Sequence, residues 1–387
     1  MNFKKLTSFG IAVVLALAMA APLFAQGGEN NDYQAIKDER DARKLISLME
    51  NFLSKYQNSG YRPEIDIKLM ASYINNKDWQ LAVRHADAFV ISQGAADSKS
   101  KTTMFTLAME ASRQLKNTAK FNEFAGKALD VNPDNMSVLM TLVSNSMNEA
   151  PNDDAGRKAA MDKALGYAQR AKKVARPEST NEAEWAGTQT RLHGYLAIIY
   201  FNKNSWAEAG PEFKEYLEKA PDDGLMYFRY GFGTYAQLQS TLAALGETNT
   251  KAQAAQAAGK ADEVTAYIER LTALTKEFED RRDIIIDAMA GALAMGGAFA
   301  PDADKIFDPL FRQKHDIANS PETKAAFDAE KIKFISAKKA EITTKTAALA
   351  PPPAAGARGA AAGTPAFGGG AGGGGGAPAG GGRAGGR

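Results

Sequence analysis

The sequence predicts an all-α protein, a solenoid of antiparallel helical hairpins, on three observations. Between about Tyr33 and Leu349 apolar residues recur at spacings of three and four, with hardly any of the sustained alternation a strand needs. Asn, Asp, Ser and Pro punctuate that pattern where helices would start: Asn76-Lys77-Asp78 before Trp79, Asn132-Pro133-Asp134, Asn204-Ser205 before Trp206, Pro221-Asp222-Asp223, and Ser320-Pro321-Glu322. Self-comparison finds units repeating every 34 to 45 residues, a period that in a helical chain means stacked hairpins rather than one globular core.

The helix over Asp41 to Tyr56, with Leu45, Leu48, Met49, Phe52 and Leu53 on one side, is expected to cap the first end of the stack. Glu64 to Val90 follows as a unit, with Leu69, Tyr73, Trp79, Ala82, Ala86, Phe89 and Val90 facing inward. Weaker units run from Thr103 to Pro133 and from Val138 to Val174, recognisable by Ala125 and Ala128 and by Ala164, Ala168 and Ala171. Arg191 to Pro221 is the clearest copy: Leu196, Ala197 and Tyr200 in a first helix face Trp206, Ala209, Phe213, Tyr216 and Leu217 in a second. Small residues let two helices approach and large ones fill the groove beside them. Asn-Lys-Asp-Trp and Asn-Lys-Asn-Ser-Trp read as copies of one turn, the second longer by one residue. Gly224 to Gly246 opens a further unit through Tyr230, Gly231 and Ala243, and Gly231-Phe232-Gly233 reads as a place of close helix packing.

This order of large, small, aromatic, small and aromatic residues with a closing proline resembles the tetratricopeptide repeat over Tyr33 to Gly246. Met70 and Met109 depart from it, standing where that family has glycine or alanine. The resemblance implies residues 33–246 as a repeat solenoid and residues 247–349 as a helical extension and cap. In the extension Val264, Tyr267, Ile268, Leu271, Leu274 and Phe278 form a seam near heptad spacing. Ile284 to Ala300 is short for a bilayer, contains Asp287 and is interrupted by Gly291, Gly296 and Gly297, so it reads as a buried helix. Ala303 to His315 and Pro321 to Thr344 close the fold, the last helix turning Phe327, Ile332, Phe334 and Ile335 inward.

Both ends differ from this body. Lys4 and Lys5, the apolar stretch from Ile11 to Ala20, and Pro22-Leu23-Phe24-Ala25 have the order of a secretory signal peptide, here residues 1–25, so the mature chain is expected in the periplasm or outside the cell and not embedded in a membrane. Residues 26–32 read as a short linker. Residues 350–387 are almost wholly Gly, Ala and Pro, with Arg358, Arg383, Arg387 and a single large apolar residue, Phe367. Such a composition has little to bury and reads as a disordered tail, in the first place a flexible spacer, with an arginine-mediated hold on an acidic cell-envelope polymer as the alternative.

Composition narrows the chemistry. Of 47 basic residues five lie in residues 1–25 and 350–387, which carry no acid, leaving 42 against 45 acidic residues in the body. That balance offers no long-range field for nucleic acid. Without cysteine there is no thiol nucleophile, disulfide or cysteine-held metal, and His85, His193 and His315 stand alone with no second ligand at helical spacing. No phosphate loop, nucleophile elbow or dinucleotide fingerprint occurs. No cofactor, metal site or catalytic residue is assigned, and the chain is read as a non-enzyme.

The resemblance implies a concave face lined by first helices that holds a protein or peptide partner. Positions expected on that face include Ile67 and Ala71, then Ile198, Phe201 and Asn202, then Phe228, Arg229 and Phe232. The Lys and Asn places with which chaperone-binding members hold a C-terminal carboxylate carry Ile67, Ala71, Phe228 and Phe232 here, so that clamp is absent. The expected function is an exported interaction scaffold, with Phe201, Asn202, Phe228, Arg229 and Phe232 as partner-binding residues. The alternative is a soluble binding protein for peptide or glycan polymers that uses the aromatic cluster over 227–235.

Overall fold

A computed structural model describes residues 27–92, 96–148, 153–178 and 180–349, and all the regular structure among them is helical. The expected signal peptide and the tail over 350–387 lie outside the described residues. The helices are α1 (27–38), α2 (Ala42–Lys55), α3 (Arg62–Asn75), α4 (Trp79–Ser92), α5 (Ser98–Gln114), α6 (Thr118–Val131), α7 (Met136–Asn148), α8 (Asp154–Lys172), α9 (Glu182–Asn202), α10 (Trp206–Lys219), α11 (Gly224–Ala257), α12 (Ala261–Met295), α13 (Ala300–Lys314) and α14 (Lys324–Leu349).

Helix starts follow the polar punctuation. Asp41, Asp97, Asn117, Asn135, Asp153, Asn181 and Asp223 each accept a hydrogen bond from a backbone N–H of the first turn, satisfying a donor the helix cannot. Four of the turns inside the hairpins share one solution. Lys77, Lys116, Asn204 and Gly259 all have positive φ, at 63°, 53°, 56° and 70°. The N–H of the residue after each donates to a carbonyl five residues back, Asp78 to Tyr73, Asn117 to Ser112, Ser205 to Tyr200 and Lys260 to Ala255. This is a helix-ending left-handed turn. The turns before Trp79 and Trp206 therefore have the same length, and the extra residue expected in the second does not exist: Asn75 completes the match to Asn202.

Five hairpins, α3/α4, α5/α6, α7/α8, α9/α10 and α11/α12, pack in chain order. Their small residues do what the repeat pattern requires: Ala82, Ala86, Ala125, Ala128, Ala164, Ala168, Ala171, Ala197 and Ala209 are all buried at helix crossings. Met70 and Met109 are buried as completely, so the first two hairpins accommodate a long thioether at that place. The core falls into three linked clusters: one from α1 to α7, one across α7, α8 and α9, and one from α9 to α14.

Three expectations need correction. Residues 27–32, read as linker, begin α1, because Tyr33 stacks on Tyr61 at 3.9 Å and Asp32 accepts from Tyr56 and Lys55. In the seam Ile268 is 55% exposed, while Val264, Tyr267 and Leu271 are half-buried and Leu274 and Phe278 buried on the helix that packs along α11. Heptad spacing admits only one of two adjacent residues, and Tyr267 takes the place. Ile332 is 64% exposed on α14, where Phe327, Lys338 and Ile342 are buried instead.

No break marks residue 246, since α11 runs through it for 34 residues, about 51 Å at 1.5 Å per residue. Gly231 and Gly233 give the close packing expected of them: a Cβ on Gly231 would lie 2.8 Å from Met289, and one on Gly233 3.1 Å from Trp206. Among the described residues no helix is long and apolar enough to cross a membrane.

Candidate functional site

Stacking hairpins in one direction lines up their first helices, and a groove of about 790 Å³ opens along α5, α7 and α9. Every helical residue lining it comes from a first helix, with the loops leading into α7 and α9 closing its rim. Carboxamides and hydroxyls make up much of its floor. Asn132, Asn135, Asn145 and Asn148 supply carboxamides, and Ser137, Thr141, Ser144, Thr180 and Thr188 supply hydroxyls. The Oδ1 atoms of Asn132 and Asn135 already accept from the Asp134 and Val138 N–H groups, so these two turn the donor half of the carboxamide to the groove, where it suits the carbonyls of an extended backbone. Trp185, Tyr195 and Met140, all half-buried, add apolar surface for side chains.

The charges are mixed. Arg113 holds Glu110 bidentately, at 2.9 Å and 2.7 Å. Burial raises the Glu110 carboxyl, but hydrogen bonds from Arg113 and Gln114 outweigh it and keep the group below the ordinary carboxylate range. Arg191, exposed on the other wall, donates to Thr188 Oγ1 at 3.4 Å, and no carboxylate lies within 4 Å of it among the described residues.

The residues expected to bind a partner lie next to this groove. Along α9, Arg191, Tyr195, Ile198 and Asn202 step up one face, from the groove to a row of rings. There Trp206 meets Phe201 at 5.1 Å, Phe201 meets Phe232 at 6.1 Å, Phe232 meets Phe228 at 6.1 Å, and Phe228 stacks on Phe299 at 5.7 Å. Phe201, Phe228 and Phe232 are thus brought together, with Arg229 on the same helix. Asn202, exposed, is not brought among the rings: it turns back to α8, where its amide reaches Met161 Sδ at 3.8 Å. Phe228 and Phe232 are inclined at 41° rather than coplanar, and only Phe232 stands well out of the surface, at 40% exposure. Of the cluster over 227–235, Tyr227 is core, and burial pushes its phenol up to about 12.

Two histidines read as solitary are not. His85 sits 3.3 Å from Asp66 across the first hairpin, and His193 sits 2.6 Å from Glu212 across the fourth. Both pairs are 19 residues apart. That shared spacing was the available signal.

No protein-family model matches the chain, and no curated protein matches it in sequence. Solved structures do. The chain is similar to the C-terminal part of a tetratricopeptide repeat-containing protein from Cytophaga hutchinsonii, with 15% identity and a TM-score of 0.38 over 78% of this chain and 96% of that one. A tetratricopeptide repeat protein from Parabacteroides merdae matches with 12% identity and a TM-score of 0.34, over 73% and 96%. PilW, a type IV pilus biogenesis factor, matches with 14% identity and a TM-score of 0.32, over 69% and 99%. Two of these three are tetratricopeptide repeat proteins by name. The hairpin solenoid described here stands on its own helix pairing and burial.

Proposed function

We propose that this protein is a non-catalytic scaffold that holds an extended segment of a protein partner along the face of its first helices. The observation that carries this reading is the groove of α5, α7 and α9, with its carboxamide and hydroxyl floor and its three half-buried apolar side chains. Such a surface binds backbone by hydrogen bonding and side chains by contact, and it spans several hairpins, as an extended peptide does. Phe201, Asn202, Phe228, Arg229 and Phe232 extend the binding face onto α11. A peptide suits this second part better than a sugar ring, because Phe299 covers Phe228 and leaves no flat pair of rings. The leader-like residues 1–25 support action beyond the cytoplasmic membrane, in the periplasm or outside the cell.

A photo-crosslinking side chain at Thr188, in the groove, tests this in the full chain expressed in its source cell. The expected outcome is covalent capture of a protein from that position and none from Lys214 on the outer helix α10. Equal capture from both, or none from either, would overturn the reading.

A further inference from the structure

The exposed face of α11 has a chemistry of its own. Leu225 and Phe232 are each 40% exposed, and Arg229 lies between them, one turn from either. The row of rings from Trp206 to Phe299 continues the apolar surface beside them. The Arg229 guanidinium is partly buried here with poor company. Its hydrogen bond goes to Met226 Sδ at 3.9 Å, a weak acceptor. The acid whose charge acts on it, Asp223, is engaged by the Tyr216 hydroxyl at 3.0 Å and the Met226 N–H at 3.1 Å, and no carboxylate stands within 4 Å of the guanidinium among the described residues. Burial lowers the Arg229 pKa and the attraction of Asp223 offsets only part of it, in keeping with a cation that has lost water without gaining a paired carboxylate. A carboxylate brought to it would restore that balance with a bidentate, charge-assisted pair.

We propose that Leu225, Arg229 and Phe232 form a subsite for a partner segment that presents a large apolar side chain next to an aspartate or glutamate. This rests on the scaffold reading and names the partner chemistry of one part of the binding face. The apolar side chain lies on Leu225 and Phe232, and the acid pairs with Arg229. The chain's own tail does not have this chemistry. It offers Phe367, but it holds three arginines and no acidic side chain, so its charge has the wrong sign for Arg229.

Selection of randomised 12-residue peptides with amidated C-termini on the full-length protein tests the proposal. Selected peptides are expected to carry Phe, Leu, Ile, Met or Trp within two positions of Asp or Glu. In anisotropy titrations, changing that acid to its amide is expected to weaken binding about tenfold, the scale of one charge-assisted pair. Arg229→Gln is expected to erase the difference between acid and amide peptides, and Arg229→Lys to keep part of it. Should Arg229→Gln lower the melting temperature, Arg229→Lys and the loss of wild-type binding with added salt carry the same test. Selected peptides without acids, an acid preference unchanged in both Arg229 variants, or no selected peptide would overturn it. So would tenfold tighter peptide binding in Phe367→Ala, which would show the tail occupying the subsite. Capture at Thr188 is independent of these outcomes, so the scaffold reading survives or falls separately.

Discussion

The first and fourth hairpins hold an ionisable pair at the same place, with its members exchanged. Trp79 and Trp206 are 127 residues apart (206 − 79), and so are Asp66 and His193, and His85 and Glu212. In α3/α4 the acid sits on the first helix and the imidazole on the second; in α9/α10 the order is reversed. The second hairpin, aligned through Lys77 and Lys116, places Phe105 and Phe124 there, with ring centroids 6.4 Å apart. What the fold needs at this crossing is a pair that fills the space, and either packed rings or a hydrogen-bonded acid–imidazole pair meets the need. The two polar versions differ in where the permanent cation comes from. Asp66 has Arg62 at 3.6 Å, one turn away on its own helix. Glu212 has Lys172 at 2.6 Å, reaching over from α8, so in the fourth hairpin the pair also fastens one repeat to the next.

This comparison can be broken at Glu212. Glu212→Ala leaves the partly buried His193 without its acid and removes the tie to Lys172 of α8, and is expected to cost about 2 kcal/mol, discounted from the fully buried case because Lys172 is half in water. Exchanging the pair, His193→Asp with Glu212→His, reproduces the order of the first hairpin and is expected to recover most of that loss in thermal or urea unfolding. A double variant no more stable than Glu212→Ala would show that the two sites are not equivalent.

A smaller effect follows with pH. Burial raises the Glu212 carboxyl, but the hydrogen bonds from His193 and Lys172 outweigh it, so its folded pKa lies below the ordinary 4.5. A depressed carboxyl gives stability that is present above its unfolded pKa and is lost as pH falls through the folded value. Unfolding free energy is therefore expected to fall as pH drops below about 4.5, with a shallower slope in Glu212→Gln. Identical slopes would remove the pair from the acid response.

The smallest effects sit in the shared turn. Asn204→Val puts a β-branched residue at positive φ and is expected to cost about 1–2 kcal/mol, whereas Lys77→Gly is expected to gain up to about 1 kcal/mol. Melting temperatures check both.

Much of the fold was legible because it depends on local rules. Polar caps, three-and-four spacing and alanines at crossings locate the hairpins from residues close in sequence. What escaped depends on alignment between distant units. Treating the turn before Trp206 as one residue longer hid the equivalence of Asp66 with His193, and each histidine then looked unpaired. The groove escaped for another reason: α5 and α7 belong to the weakest repeats, and their Asn, Ser and Thr residues look like an ordinary solvated surface until α9 brings Trp185 and Tyr195 opposite them. The row of rings at Phe201, Phe228 and Phe232 was legible because aromatics crowd visibly in the sequence, but the lack of a paired carboxylate at Arg229 shows only in three dimensions.

Hydrogen exchange on the full chain, with and without the protein captured at Thr188, tests the use of the first-helix face most directly. Slowed exchange along α5, α7, α9 and the first turns of α11, with α6, α8 and α10 unchanged, is the predicted result. Protection concentrated on α6, α8 and α10 would place the partner on the opposite face and contradict it.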